Sequence, residues 1–301
     1  MAAIWAGRTN PSRSIMLLDG ARTLGAKILV AGGGRCNVTH DVVDADAYAG
    51  SSRNAIKKVL RRFDVPETIR FFREMGVVLK REETGKLFPV TDNARTVLNA
   101  LLNAAERANV DIRHPRCVLR IVKSDEGFIV GGDWGEIETG KVILATGGRS
   151  LPKSGSDGFG YEIAKALGHS LTRRVFPALV PLTLPKDHFI CALSGITLPT
   201  TLEVRGSTGK KLVVFTDSTL CTHFGLSGPS ALDISRYYID AKLDDPAAAL
   251  TINWLPEKTT EQVESELQSL GKTSVLRYLN GQLPERLSRA MCIEAGVEGN
   301  T

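Results

Sequence analysis

The sequence is poor in the arrangements that would make it a secreted, metal-holding or membrane-spanning protein. Its five cysteines (Cys36, Cys117, Cys191, Cys221 and Cys292) are an odd number, and none stands in a CxxC pair. That excludes a disulfide framework or a cysteine zinc site and points to a reducing cytoplasm. No basic-then-apolar leader opens the chain, and no apolar run approaches the ~20 residues a bilayer crossing needs. His40, His114, His169 and His188 have no carboxylates at metal-ligand spacing, so no metal is expected. Neither a P-loop nor a Ser-His-Asp pattern is present, which leaves hydrolase and NTPase readings without support. Internal repeats, low-complexity tracts and a long linker are absent as well.

What is present is an ordinary globular composition. The 301 residues are 43% hydrophobic and 24% charged, enough for roughly two domains. The net charge is +5 and the isoelectric point is near 9.0. Basic residues are scattered, with short clusters only at Lys57-Lys58 and Arg61-Arg62. On a helix such clusters read as a solvated face, so a nucleic-acid partner is not expected.

Ser14 to Leu18 is an apolar run of the kind found in a parallel strand covered on both faces. Residues 53 to 63 carry Ile56, Val59, Leu60 and Phe63 at helical spacing. Asp64 reads as the N-cap of a following helix, with Pro66 in its first turn and Glu67 three residues on. A helix over 95–108, strands at 77–79, 110–112 and 118–122, and a strand at 128–130 follow. Lys141 to Ala145 reads as the strongest strand of all. Beyond Gly168, prolines at 177, 181, 185 and 199 punctuate short alternating runs such as Thr201–Val204 and Lys211–Phe215. Helices are expected again from Glu257, at 259–270, 274–279 and 284–295.

Three segments suggest chemistry. Ile15-Met16-Leu17-Leu18-Asp19 is a strand that ends in a carboxylate. A carboxylate so placed can accept hydrogen bonds from a ribose, or can simply cap a turn before Gly20. Gly32-Gly33-Gly34-Arg35-Cys36-Asn37-Val38-Thr39 offers bare backbone N–H groups followed by a guanidinium, a combination suited to a phosphate or a planar anion. Arg35 could equally be a salt-bridged loop anchor. Cys36 reads either as a redox thiol or as a small packing residue. Val142-Ile143-Leu144-Ala145-Thr146-Gly147-Gly148 ends an apolar run in glycines, which lets backbone approach a ligand closely.

In that order the three segments resemble the HI0933-like, or BaiN-like, FAD-dependent oxidoreductases. Gly85–Val90, Gly155–Gly168, Pro177–Leu182 and Thr222–Pro229 extend the resemblance, which runs from Met1 to about Ala295. The resemblance implies an α/β fold: a two-dinucleotide-type, Rossmann-like parallel sheet at 1–170, a β-barrel-like insert at 171–255 and a helical segment at 256–301. It implies FAD held by Asp19, Lys27, Gly32, Gly33, Gly34, Arg35, Cys36, Asn37, Val118, Ala145, Thr146, Gly147 and Gly148. Asp19 would meet the ribose and disfavour a ribose phosphate, and Val118 would offer main-chain groups to adenine. Family members open with a strand and a Gly-x-Gly-x-x-Gly turn, and none precedes Asp19 here. The expectation is thus a sheet lacking its first strand and a chain truncated at both ends.

The redox step would be hydride transfer between flavin and a small organic substrate, with NAD(P)H as a co-substrate. His223 and Cys36 are the catalytic candidates, since an imidazole suits proton transfer near neutral pH. Two rival readings stand beside this one: a remnant that binds no flavin, and a flavin-fold protein associated with RNA. An uncovered core edge beside Leu17 and Leu144 leads to the further expectation that the chain expresses poorly.

Overall fold

The computed structural model describes residues 1–48, 52–150, 152 and 155–297. The chain forms two units, Met1–Leu171 and Thr172–Thr301. Among the described residues no helix is long and apolar enough to cross a membrane.

The first unit opens with helix α1 (Ala2–Thr9), then strand β1 (Ile15–Leu18) and the short helix α2 (Ala26–Val30). Strand β2 (Thr39–His40), helices α3 (Arg53–Leu60) and α4 (Val65–Glu74), and strands β3 (Leu79–Arg81) and β4 (Lys86–Pro89) follow. Helix α5 (Ala94–Arg107) leads to β5 (Val110–Arg113). Strands β6 (Arg120–Lys123), β7 (Phe128–Gly132) and β8 (Gly135–Thr139) and helix α6 (Phe159–Ala166) complete the unit.

β1 pairs in parallel with β5, from Ile15 opposite Val110 to Leu18 opposite Arg113. β2, β4 and β3 form a small antiparallel sheet, and β6, β7 and β8 an antiparallel meander. α4 begins as its sequence predicts: Asp64 Oδ1 accepts the Glu67 N–H at 2.9 Å and Pro66 lies in the first turn. The helix turns Phe71 and Phe72 into a core with Ile4, Val77, Val97 and Val110. Gly7 lets α1 lie on the end of α5, because a Cβ there would stand 2.4 Å from the Ala108 carbonyl oxygen.

Lys141–Ala145 departs from expectation. The segment has no ladder partner among the described residues and takes no regular structure, and Ile143 is 68% exposed. A covered parallel strand needs a hydrogen-bonded neighbour. Among the described residues the parallel pairing is confined to β1 and β5, so the apolar run alone does not make a strand. The strand expected at 118–122 likewise starts at Arg120 and leaves Val118 just before it.

The second unit contains strands β9 (Leu182–Thr183), β10 (Thr197–Arg205), β11 (Lys211–Thr222) and β12 (Gly225–Ser227). Helix α7 (Pro229–Asp244), strand β13 (Ala249–Asn253) and helices α8 (Thr260–Gln268), α9 (Val275–Asn280) and α10 (Glu285–Glu294) follow. The strands form one antiparallel sheet ordered β13-β10-β11-β12-β9, whose end strands stay apart, so it is a half-barrel. Leu202 and Val204 point to the core and Glu203 to the other face, where it pairs with Arg205 and Lys211. The late helices share this core: Leu279, Leu283 and Leu287 pack in one cluster with Leu202, Leu226 and Ile234.

Helix α7 lies inside the region expected to be β-rich. Its start was legible in Gly228-Pro229, since glycine supplies φ 87° and proline the first helical position. A Cβ at Gly228 would stand 2.7 Å from the Ser218 carbonyl oxygen, so the helix begins hard against β11. A fully buried hydroxyl chain fixes that contact. Thr200 Oγ1 bonds Thr219 Oγ1 at 2.5 Å, Thr219 bonds Ser230, and Ser230 Oγ donates to the Ser218 carbonyl at 3.1 Å.

Leu287→Ala should cost about 2–5 kcal/mol, and Thr219→Val about 1–3 kcal/mol, because it leaves the buried Thr200 hydroxyl without its partner. Urea unfolding of the second unit's transition measures both. An unchanged midpoint for Thr219→Val would show that the hydroxyl chain contributes nothing.

Candidate cofactor-binding loops

The triple glycine closes α2 as a tight turn over Ala31–Gly34. Gly32, Gly33 and Gly34 all lie in the left-handed region at φ 57°, 68° and 86°, and Cys36 joins them at 62°. That succession suits glycine and strains any other residue. The three are not equivalent. A Cβ on Gly32 would meet Phe88 Cε1 at 2.7 Å and the Asn37 nitrogen at 2.9 Å, whereas one on Gly33 would meet nothing within 4 Å. Gly34 has only the Leu29 carbonyl oxygen, at 3.7 Å. The loop therefore turns Gly32 inward and leaves bare backbone open to close approach at Gly33 and Gly34.

The residues that follow turn back into the protein. The Arg35 guanidinium lies 4.0 Å from the Phe88 ring centroid, pairs with Glu82, and reaches Asp92 at 3.7 Å. Asp92 also pairs with Lys80. Arg35 is thus held as a loop anchor, its charge matched by carboxylates of the protein itself. Cys36 is buried in the core, its N–H donates to the Ala31 carbonyl at 2.9 Å, and burial pushes its thiol up from the ordinary range. This is the environment of a packing residue and not of a thiolate. With its amide nitrogen turned inward, Asn37 donates to the carbonyls of Thr39 at 2.8 Å and Leu87 at 3.3 Å.

Asp19 takes the turn-capping role that its position suggests. Its Oδ1 accepts the Ala21 N–H at 2.8 Å, and its main chain bonds the Arg113 carbonyl and the Arg116 N–H. Oδ2 has no hydrogen-bond partner among the described residues and stands half-exposed at the end of β1. Lys27 on α2 donates to Ser150 Oγ at 2.6 Å, which ties α2 to the turn after Gly147-Gly148. Val118 packs with Ile121, Val130 and Ile163.

The Ala145–Gly148 turn is shaped by α6. Thr146 sits over Gly160, where a Cβ would come within 2.1 Å of its Oγ1. A Cβ on Gly148 would meet Tyr161 Oη at 2.8 Å, and one on Gly147 would meet Ser156 Oγ at 3.1 Å. The sequence reading missed Gly160, Tyr161, Phe88 and Glu82. The small-residue spacing of Gly155–Gly160 was the available signal for the first of these.

His223 belongs to the second unit, where it is exposed in the turn between β11 and β12, edge-on to Phe224 at 5.0 Å. All five cysteines are free thiols. No group of three or more metal-ligating side chains occurs among the described residues. Cavities of about 180 Å³ beside Gly7 and Arg8, and of about 190 Å³ beside Tyr48 and Phe63, include none of the expected cofactor-binding residues. Gly33 and Gly34 present bare backbone, and Asp19 an oxygen with no hydrogen-bond partner among the described residues. Arg35, by contrast, is already matched by carboxylates.

Comparison with known proteins places these loops in context. The family described as "HI0933-like protein Rossmann domain" matches residues 1–271. The chain is 31% identical over 292 residues to a 3-dehydro-bile acid delta(4,6)-reductase of Clostridium scindens, covering 95% of this chain and 70% of that protein. It is 33% identical over 279 residues to a ribosomal RNA dihydrouridine synthase of Escherichia coli, covering 91% of this chain and 66% of that protein. The chain thus spans about two thirds of the length of these relatives. A solved glycine oxidase from Geobacillus kaustophilus aligns over 84% of this chain and 78% of its own at 13% identity, with a TM-score of 0.30, too loose a likeness to carry an argument.

Gly32→Ala should destabilise the first unit more than Gly33→Ala. Both pay about 1–2 kcal/mol for the left-handed backbone, and only the first drives a methyl into Phe88. Equal unfolding midpoints would refute that inward–outward division. The Cys36 thiol gives a second prediction. Its folded value lies above the unfolded one, so its contribution is full below about pH 8.5 and is lost as pH rises through the folded value. Cys36→Ala should therefore flatten the alkaline decline in stability, and a parallel decline in both proteins would contradict the assignment.

Proposed function

The chain belongs to the HI0933-like family of flavoprotein oxidoreductases, and on that premise we propose that it binds FAD and serves hydride transfer between that flavin and a small organic substrate. The observation that carries the reading is the open, left-handed backbone at Gly33 and Gly34, which admits a phosphate where any side chain would intrude. Asp19 accepts hydrogen bonds from a ribose, and its charge disfavours a phosphate there. Lys27, held by Ser150, adds positive charge beside the same loops. Arg35, Cys36 and Asn37 shape the loop from behind.

Bound flavin supplies the hydride chemistry, and the protein supplies orientation and electrostatics. NAD(P)H is the proposed electron source, and His223 the proposed proton donor. The relatives' names support a substrate class. A delta(4,6)-reductase of a 3-dehydro compound and a dihydrouridine synthase each saturate a carbon–carbon bond conjugated to a carbonyl. An unsaturated cyclic carbonyl compound is therefore the proposed substrate. The free thiols support a cytoplasmic location.

The visible spectrum of the purified chain, alone and after reconstitution with FAD, tests the reading. A flavin band that bleaches on adding NADH or NADPH is expected. Asp19→Ala should weaken FAD binding about 10- to 100-fold, the equivalent of a hydrogen bond to a charged group. A protein that stays colourless after reconstitution would favour the flavin-free remnant.

A further inference from the structure

The chain that leaves the glycine loop through Asn37 runs directly into a groove. Thr39, on β2, stands at the edge of a cavity of about 190 Å³ whose apolar wall is made by Val43, Tyr48, Leu60, Phe63 and Val65. Local structure fixes the two aromatic pieces of that wall. Asp44 Oδ1 accepts the N–H groups of Asp46 at 2.7 Å and of Ala47 at 3.3 Å, and Ala45 is buried, so a capped turn presents Tyr48. Phe63 lies edge-on to Trp5 at 6.2 Å and to Phe71 at 6.0 Å, which holds its ring in place.

The polar groups of the groove are engaged within the protein, with one exception. Thr68 Oγ1 donates to the Asp64 carbonyl at 2.8 Å, and Thr39 Oγ1 reaches the His40 carbonyl at 3.5 Å. Asp64 Oδ1 accepts the Glu67 N–H at 2.9 Å, and the N-terminal dipole of α4 offsets its charge. The Tyr48 hydroxyl makes no hydrogen bond among the described residues. We propose that this groove is a ring-binding site that takes one neutral six-membered ring bearing a carbonyl, with Tyr48 Oη donating to the carbonyl oxygen. The inference takes its ligand class from the proposed function and its place from the groove. One free donor among apolar side chains selects an acceptor set on an apolar body. The volume lies below the roughly 300–1,000 Å³ of pockets that enclose drug-sized ligands. It therefore admits a single ring and leaves the remainder of a larger molecule outside. No cation lines the groove among the described residues, so an anion finds no partner there. An ammonium ligand is the lesser fit, because it leaves the Tyr48 proton unused and meets a carboxylate that is already engaged.

The test is saturation-transfer NMR of 2-cyclohexen-1-one with the whole chain as purified, before any FAD is added. Failure here and failure of the FAD assignment are thereby read separately. Saturable binding of the enone is expected, with cyclohexene, benzoate and cyclohexylammonium all weaker. Tyr48→Phe keeps the ring and removes the donor. It should weaken the enone about 2- to 10-fold, the equivalent of one neutral hydrogen bond, and leave cyclohexene unchanged. A purely structural role for Tyr48 would instead move both ligands together. Val43→Trp fills the groove and should abolish saturable binding of both. If that variant loses its native circular dichroism, Tyr48→Phe decides by itself. Absence of saturable enone binding overturns the proposal, as does undiminished enone binding by Tyr48→Phe. Equal losses of enone and cyclohexene in that variant, or tighter binding of cyclohexylammonium, overturn it as well.

Discussion

The contact between Gly32 and Phe88 holds the first unit's loop in place. Phe88 is buried in β4 with its ring edge 2.7 Å from where a Gly32 side chain would begin, so the backbone itself packs on the ring. The Arg35 guanidinium lies over the same ring, and Glu82, placed just after β3 in the β3–β4 turn, holds its charge. Val38 and Asn37 then stitch the chain onto Leu87. One aromatic residue thereby fixes both ends of the turn, and the open backbone at Gly33 and Gly34 is the part left over. A loop so anchored loses little further entropy when a ligand arrives, which is how preorganisation raises affinity.

Local signals explain what was legible. The Asp64 cap with Pro66 and the 95–108 helix each depend on interactions within a few residues, and each is found. Lys141–Ala145 failed because a parallel strand is a property of its neighbours, and an apolar run cannot reveal whether a ladder partner is in place. Helix α7 was hidden for a different reason: its polar residues Ser230 and Ser235 are fully buried, so its apolar periodicity is blurred. Their hydroxyls are satisfied by backbone or by a neighbouring hydroxyl, information held in the fold and not in the spacing.

The motif residues divide the same way. The glycines at 32 to 34 were read as bare backbone, and the structure folds them as a left-handed turn. The charge on Arg35 declared nothing about its partners, because Glu82 and Asp92 lie 47 and 57 positions away and reach it through the β3–β4 hairpin. The glycines at 147 and 148 answer to Ser156 and Tyr161 beside α6, and the closest approach in that contact belongs to Gly160. Small residues were read as room for a ligand, yet some of that room is filled by the protein's own packing.

Charge and backbone consequently have separate tasks in this chain. Where Arg35 stands near the glycine loop, two carboxylates neutralise it, so its guanidinium is not free for an anion at Gly33 and Gly34. That separation lowers the desolvation cost of binding, since breaking a matched ion pair leaves a carboxylate uncompensated. Lys57 and Lys58 of α3 are exposed and make no hydrogen bond or ion pair among the described residues. Partly exposed backbone dipoles favour one anion at one place, while exposed cations act with little regard to position.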